Sequence, residues 1–167
     1  MAKIPEYPLK ALQEIKERKK EEAENYWIDC KKKREAEEQR LKTLEEELQL
    51  MIERRELKRR EYANRQMKGE HNAQLAVSAN VYIERLKELE EEQKEKIERQ
   101  KIVIDEKKEI EKQAMEAMVQ ATQELKALEK HREKWRDAIK RELQIKEEEI
   151  LDDLAQSMFE QQRQSKN

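Results

Sequence analysis

Glycine occurs once in the 167 residues, proline twice, cysteine once and phenylalanine once, and aromatic residues of every kind make up 4% of the chain. Each shortage excludes something. A single glycine cannot build a Gly-rich phosphate loop. The prolines, Pro5 and Pro8, both lie near the N-terminus, so the rest of the chain lacks the strongest helix breaker. The single cysteine, Cys30, cannot close an internal disulfide and suits a reducing compartment. The two histidines, His71 and His131, are about 60 residues apart and form no cluster with metal-ligand spacing. Carboxylates are plentiful but lie among solvated charges with no pocket to perturb them, so neither an enzyme nor a catalytic, cofactor or metal site is expected. No window approaches the roughly 18 apolar residues of a membrane span, and Met1-Ala2-Lys3-Ile4-Pro5 lacks the apolar core of a secretory signal. The protein is expected to stay in the cytoplasm, without membrane insertion.

What is present is charge. Asp, Glu, Lys and Arg make up 47% of the chain, yet 38 basic and 40 acidic residues leave a formal net charge of only −2. Such mixing gives no field favouring nucleic acid. The basic runs Lys31-Lys32-Lys33-Arg34 and Lys58-Arg59-Arg60 are followed closely by glutamates, so no nucleic-acid partner is expected. With 35% apolar residues the chain can cover one narrow seam, the signature of a long helix or coiled coil rather than a thick core.

The single glycine organises that pattern. In Lys68-Gly69-Glu70-His71-Asn72, Gly69 can take the positive φ that ends a helix and Asn72 can cap the next one. The alternative, one helix of about 155 residues with glycine inside it, costs about 1 kcal/mol at that residue and needs an unusually long uncapped run. The expected fold class is all-α: one domain, residues 1–167, forming a long antiparallel two-helix coiled-coil hairpin with unequal arms. Helix 1 spans about 8–67, opened by Pro8, the turn 68–72, and helix 2 about 73–163.

Steps of three and four place Ala23, Trp27, Cys30, Leu41, Leu44, Leu48, Met51 and Tyr62 on one stripe of helix 1, with Arg34, Glu37, Arg55 and Lys58 in the same line. Helix 2 answers with Ala79, Tyr82, Leu86 and Leu89, then Ile97, Ile104 and Ile110 as widely spaced anchors, then Met118, Ala121, Leu125, Leu128, Trp135 and Ile139. Folding back at Gly69 pairs residues whose numbers add to about 140, setting Tyr7 near Trp135, Leu12 near Leu128 and Tyr62 near Ala79. Pairs such as Glu38 with Lys42 and Glu90 with Lys94 are spaced to support the helices from outside.

The arms are unequal, so roughly 30 residues beyond His131 outrun helix 1 by about 45 Å at 1.5 Å per residue. Ile139, Leu143, Ile145, Ile150, Leu151, Leu154, Ala155, Met158 and Phe159 form a wide apolar stripe there with nothing to bury it. Such a face marks a partner site, with self-association through the same face as the alternative.

Several segments together resemble a known family. These are Tyr7-Pro8-Leu9 followed by Leu12, Ile15-Lys16, Arg18 and Ala23-Glu24; Gly69 at mid-chain with Tyr82-Ile83 after it; Lys130-His131-Arg132-Glu133-Lys134-Trp135; and Asp153-Leu154-Ala155-Gln156. Their order and spacing resemble the YscO/SctO stalk proteins of type III secretion systems, relatives of flagellar FliJ, and the chlamydial members above all. The resemblance implies a non-catalytic lever, monomeric on its own and without cofactors, at the cytoplasmic face of the inner-membrane secretion apparatus. It would link a hexameric secretion ATPase to the cytoplasmic ring of the export gate, stimulate or couple ATP hydrolysis, and handle secretion chaperones. By local match to the flagellar relatives, gate binding falls on Glu47, Met51, Arg54, Lys58, Tyr82, Leu86 and Leu89. Arg54 and Lys58 depart from the family pattern, standing where flagellar proteins carry aromatics. The ATPase-facing element is the arm carrying Trp135, Ile139, Leu143, Ile150, Leu151, Leu154, Ala155, Met158 and Phe159. The rival readings are a self-associating structural scaffold and a chaperone-escort module.

Overall fold

The computed structural model describes residues 4–70 and 72–164, without the side chain of Gln164. His71, expected at the tip, lies outside the described residues. The chain is an all-α helical hairpin made of α1, Lys10–Met67 (58 residues), and α2, Ala73–Gln164 (92 residues). The helix bonding of α1 opens beyond Pro8, at Lys10. The Lys10 amide donates to the Tyr7 carbonyl at 3.1 Å in a tight entry turn, and the Gln13 amide gives Leu9 its i to i+4 bond at 2.9 Å.

The reversal is built by its local sequence. Gly69 has φ of +68°. The Gly69 amide donates to the Gln66 carbonyl and the Glu70 amide to the Arg65 carbonyl, both at 3.2 Å. This is the Schellman pattern, with glycine in the left-handed position and two otherwise orphaned carbonyls of α1 satisfied. Asn72 Oδ1 then accepts from the Leu75 amide at 2.8 Å, capping α2 through its third residue.

Contacts group the chain into two units, one of Met1–Glu24 with Glu116–Asn167 and one of Asn25–Met115. In the unit Asn25–Met115 the seam of α1 alternates steps of four and three from Trp27 and Cys30 to Tyr62, and all these positions are wholly or partly buried. The facing seam of α2 runs through Ala79, Leu86, Ile97, Ile104 and Ala114, all buried, with Glu90, Gln93 and Gln100 buried among them. Ile110, expected as an anchor, is 40% exposed. The step of seven that joins Ile97 to Ile104 continues to residue 111, so Glu111 takes the seam and Ile110 turns outward.

Antiparallel register is fixed by polar bonds across this seam. Gln93 Nε2 donates to Glu47 Oε2 at 2.9 Å and to the Leu44 carbonyl at 3.2 Å. One heptad along, Gln100 Nε2 donates to Glu37 Oε2 at 2.6 Å and to the Glu37 carbonyl at 3.1 Å. Arg55 Nε binds Glu90 Oε1 at 2.7 Å, and Arg34 Nε binds Glu111. Glu90 therefore faces inward, and Lys94, expected to pair with it, binds Glu91 instead. Likewise Glu38, expected to support Lys42, pairs with Arg34 at 2.7 Å.

In the unit Met1–Glu24 with Glu116–Asn167, Tyr7 is the closing residue. Its ring lies 5.3 Å from that of Trp135, and its hydroxyl is 2.7 Å from His131 Nδ1. Leu12 and Leu128 line one groove, and Lys16 pairs with Glu124, two residues whose numbers add to 140. Ile139 and Leu143 keep partial burial, and every side chain described beyond Leu143 is exposed.

Candidate functional site

Two surfaces carry the residues singled out from sequence. The first lies in the unit Asn25–Met115, on both helices before and after the turn. Heptad spacing there sends Met51, Lys58, Leu86 and Leu89 toward the seam while Glu47 and Arg54 stay exposed. Met51, Lys58, Tyr82 and Leu89 are half-buried, whereas Leu86 is 9% exposed and packs as core. Lys58 Nζ binds Glu61 at 2.7 Å, and the donated hydrogen bond holds its ammonium above the ordinary lysine value. Glu47 is engaged by Gln93. Of the seven, Arg54 is an exposed cation with no ion pair among the described residues, while Leu86 is almost wholly buried.

Sequence reasoning missed apolar residues that are bare near the same turn: Leu50 and Leu57 on α1, Met67 at its end, and Val77 and Val81 on α2. The signal was present in their spacing. Leu50 and Leu57 are seven apart and Val77 and Val81 four apart, each pair off the seam of its own helix. Arg59 and Tyr62 on α1 share an open groove with Ala79, Asn80 and Lys87 on α2.

The second surface is the arm beyond Trp135. Ile145, Ile150, Leu151, Leu154, Met158 and Phe159 are each more than half exposed. Ala155 is exposed beside them, Ile139 and Leu143 begin the stripe, and Trp135 joins it to the aromatic pair with Tyr7. The helix is held by its own ion pairs, such as Lys146 with Glu142 at 2.7 Å, and the hydrogen bond from Lys146 keeps the Glu142 carboxyl below the usual carboxylate range. In the seam itself, the bond from Gln100 lowers Glu37 in the same way, and Lys16 lowers Glu124.

Among the described residues no group of three or more His, Cys, Asp or Glu side chains is placed to hold a metal ion. No described helix is long and apolar enough to cross a membrane. What the geometry offers is two surfaces that carry exposed apolar side chains. The YscO-like family matches residues 4–165, nearly the whole chain.

The chain belongs to the YscO-like family.

As a YscO-like protein it is a structural, stalk-type component of type III secretion. Among solved structures it is similar to that of a proposed YscO homolog, CT670, from Chlamydia trachomatis, with a TM-score of 0.82 and 20% sequence identity over 96% of this chain and 99% of that one. At that identity the likeness is one of fold. Among curated proteins none matches.

Proposed function

We propose that this YscO-like protein is the central lever of a type III secretion system, engaging a hexameric secretion ATPase through its bare arm and the export-gate ring through the residues flanking its turn. The observation that carries this reading is the arm itself: α2 continues over residues 136–164, and its apolar face is exposed from Ile145 onward. A single protruding amphipathic helix of that kind suits the central hole of a ring, where the surrounding subunits bury what water now covers. Catalysis stays with the ATPase. The lever acts by preferring one conformational state of the ring over others, because a ligand shifts an equilibrium only by its differential affinity.

Trp135, Ile139, Leu143, Ile150, Leu151, Leu154, Ala155, Met158 and Phe159 form the ATPase face in this reading. Glu47, Met51, Arg54, Lys58, Tyr82 and Leu89 contact the gate, and buried Leu86 supports Tyr82 from within the seam. Secretion chaperones are further partners, and the site of action is the cytoplasmic face of the secretion apparatus.

Adding the purified protein to its ATPase should raise turnover, and Leu154→Asp with Met158→Asp should abolish the increase while leaving helicity and melting temperature unchanged. Both residues are exposed, so a loss of effect without unfolding identifies contact. Absence of stimulation by the unaltered protein would remove the ATPase assignment.

A further inference from the structure

The groove beside the turn and the bare arm match each other in spacing, size and charge. The groove is an open trough of about 500 Å³ in the unit Asn25–Met115, on the side of the hairpin that carries Arg59 and Ala63 of α1 and Ala76, Asn80, Ile83 and Lys87 of α2. Its α2 wall follows steps of 4, 3 and 4 residues. In the arm, Glu147, Leu151, Leu154 and Met158 repeat those steps. We propose that the groove is the seat for the arm of a second copy of this chain, laid parallel to α2. Glu147, Leu151, Leu154 and Met158 of that copy come level with Ala76, Asn80, Ile83 and Lys87. Both stretches belong to one continuous helix, so they meet only between copies.

Size selects this occupant first. The trough is floored by small side chains, Ala63, Ala76 and Ala79, whereas the arm brings Leu151, Leu154, Met158 and Phe159, each more than half exposed. Large against small is the way a further helix packs onto a pair. In this register Leu151 sits over Ala63 and Asn80, Leu154 against Ile83, and Met158 on the stem of Lys87. At 3.6 residues per turn Phe159 turns toward α1, where half-buried Ile52 is level with it.

Charge selects it second. Residues 55–87 hold eight basic and four acidic residues, whereas 145–164 hold six acidic and two basic. Arg59 is exposed, with no ion pair among the described residues. Asp152 of the second copy comes level with it, and Glu148 lies one turn away. Glu149 and Glu160 face solvent, Lys146 lies by the uncharged start of α2, and Arg163 falls on the side of Glu45. Asp153 opposes the pairing, since it falls beside Glu84, a carboxylate that Lys87 already holds at 2.7 Å.

The seat is open. Arg59, Ala63, Asn80 and Lys87 are all exposed in the first copy. Trp135 of the second copy, on which its own Tyr7 closes, precedes Glu147 by twelve residues. It therefore lies about 13 Å beyond the start of α2 of the first copy, clear of the turn. The contact covers about 18 Å of helix, less than a stable interface needs, so the pairing is weak and reversible. A free arm and a free groove remain at the ends of every pair, so assembly does not close at two copies. Such pairing shields the arm's apolar face in the free protein and yields to a partner that holds the arm more tightly.

The test uses the full-length protein alone. In a Cys30→Ala background, Asn80→Cys and Leu151→Cys samples should each stay unlinked under mild oxidation, and mixing them should give a disulfide-linked pair. Both positions are exposed, so neither substitution disturbs the hairpin seam. The mass of the unaltered protein should rise with concentration and pass twice the 20.4 kDa monomer. Arg59→Asp and Asp152→Arg should each weaken association about threefold, and the two in one chain should restore it. Self-linking of the Leu151→Cys sample would mean that arms pair with each other and would overturn the proposal. So would a mixture that stays unlinked up to about 1 mM, a mass that levels off at a dimer, or a double charge swap that restores nothing. None of these readings involves the ATPase, so failure here leaves the lever proposal intact, and failure of ATPase stimulation leaves the seat intact.

Discussion

At the scale of single residues, the polar members of the seam divide into those that stabilise the hairpin and those that mainly set its register. Glu90 is 5% exposed and its carboxylate faces Arg55. Arg55→Ala would leave that charge buried with its cation gone, a loss of about 2 kcal/mol once the partial exposure of Arg55 is allowed for. Lys58→Ala, which breaks a half-exposed pair with Glu61, should shift a denaturant melt far less, by about 0.5 kcal/mol or below. Equal effects of the two substitutions would show that Glu90 is solvated. Gln93, 2% exposed, illustrates the other class. Its acceptors are Glu47, which water can reach, and a carbonyl of α1, so Gln93→Leu removes bonds without stranding a charge and adds apolar burial. We expect a gain of about 1 kcal/mol in thermal or chemical unfolding. The native glutamine gives up that stability for register, because an all-apolar seam would tolerate slippage by a heptad that Gln93 on Glu47 and Gln100 on Glu37 forbid.

At the scale of elements, the turn was legible because its chemistry is concentrated in two residues. Gly69→Ala places a Cβ at φ of +68°, where nothing crowds it but the backbone conformation itself is unfavourable, and should cost about 1 kcal/mol. Asn72→Ala should cost about the same through loss of its bond to the Leu75 amide. A melt unaffected by both would mean that packing alone sets the reversal. The apolar seam was legible for a similar reason: steps of three and four marked Leu41, Leu44 and Leu48 on α1 and Leu125 and Leu128 on α2, and these positions are at least partly buried. What escaped was the polar half of α2's seam. Reading for apolar residues selected Ile110, whereas spacing alone, carried on from Ile97 and Ile104, reaches Glu111 and passes through Gln93 and Gln100. A buried glutamine looks like a solvated one in a sequence, and only its position in the repeat tells them apart. The bare apolar residues beside the turn, Leu57 and Val81 among them, escaped because they sit off the seam, where no pairing rule demands an apolar side chain.

At the scale of the whole molecule, the two helices share their hydrogen-bonding pattern but not their source of stability. Over the seam, helix and packing reinforce one another, so amides near Ile97 and Ile104 open only when the hairpin opens. Beyond Leu143 every described side chain of the arm is exposed, and a helix without a buried face is marginal in water however good its ion pairs are. Hydrogen exchange on dilute protein should therefore show little protection over residues 145–164, within about tenfold of an unfolded chain, and full protection at Ile97 and Ile104. Adding the ATPase should slow exchange from Ile145 to Phe159 if the ring encloses the whole stripe. An arm as slow to exchange as the seam in dilute protein would mean that it is rigid without a partner. The arm would then have no disordered state to forgo, and binding would cost it no ordering entropy.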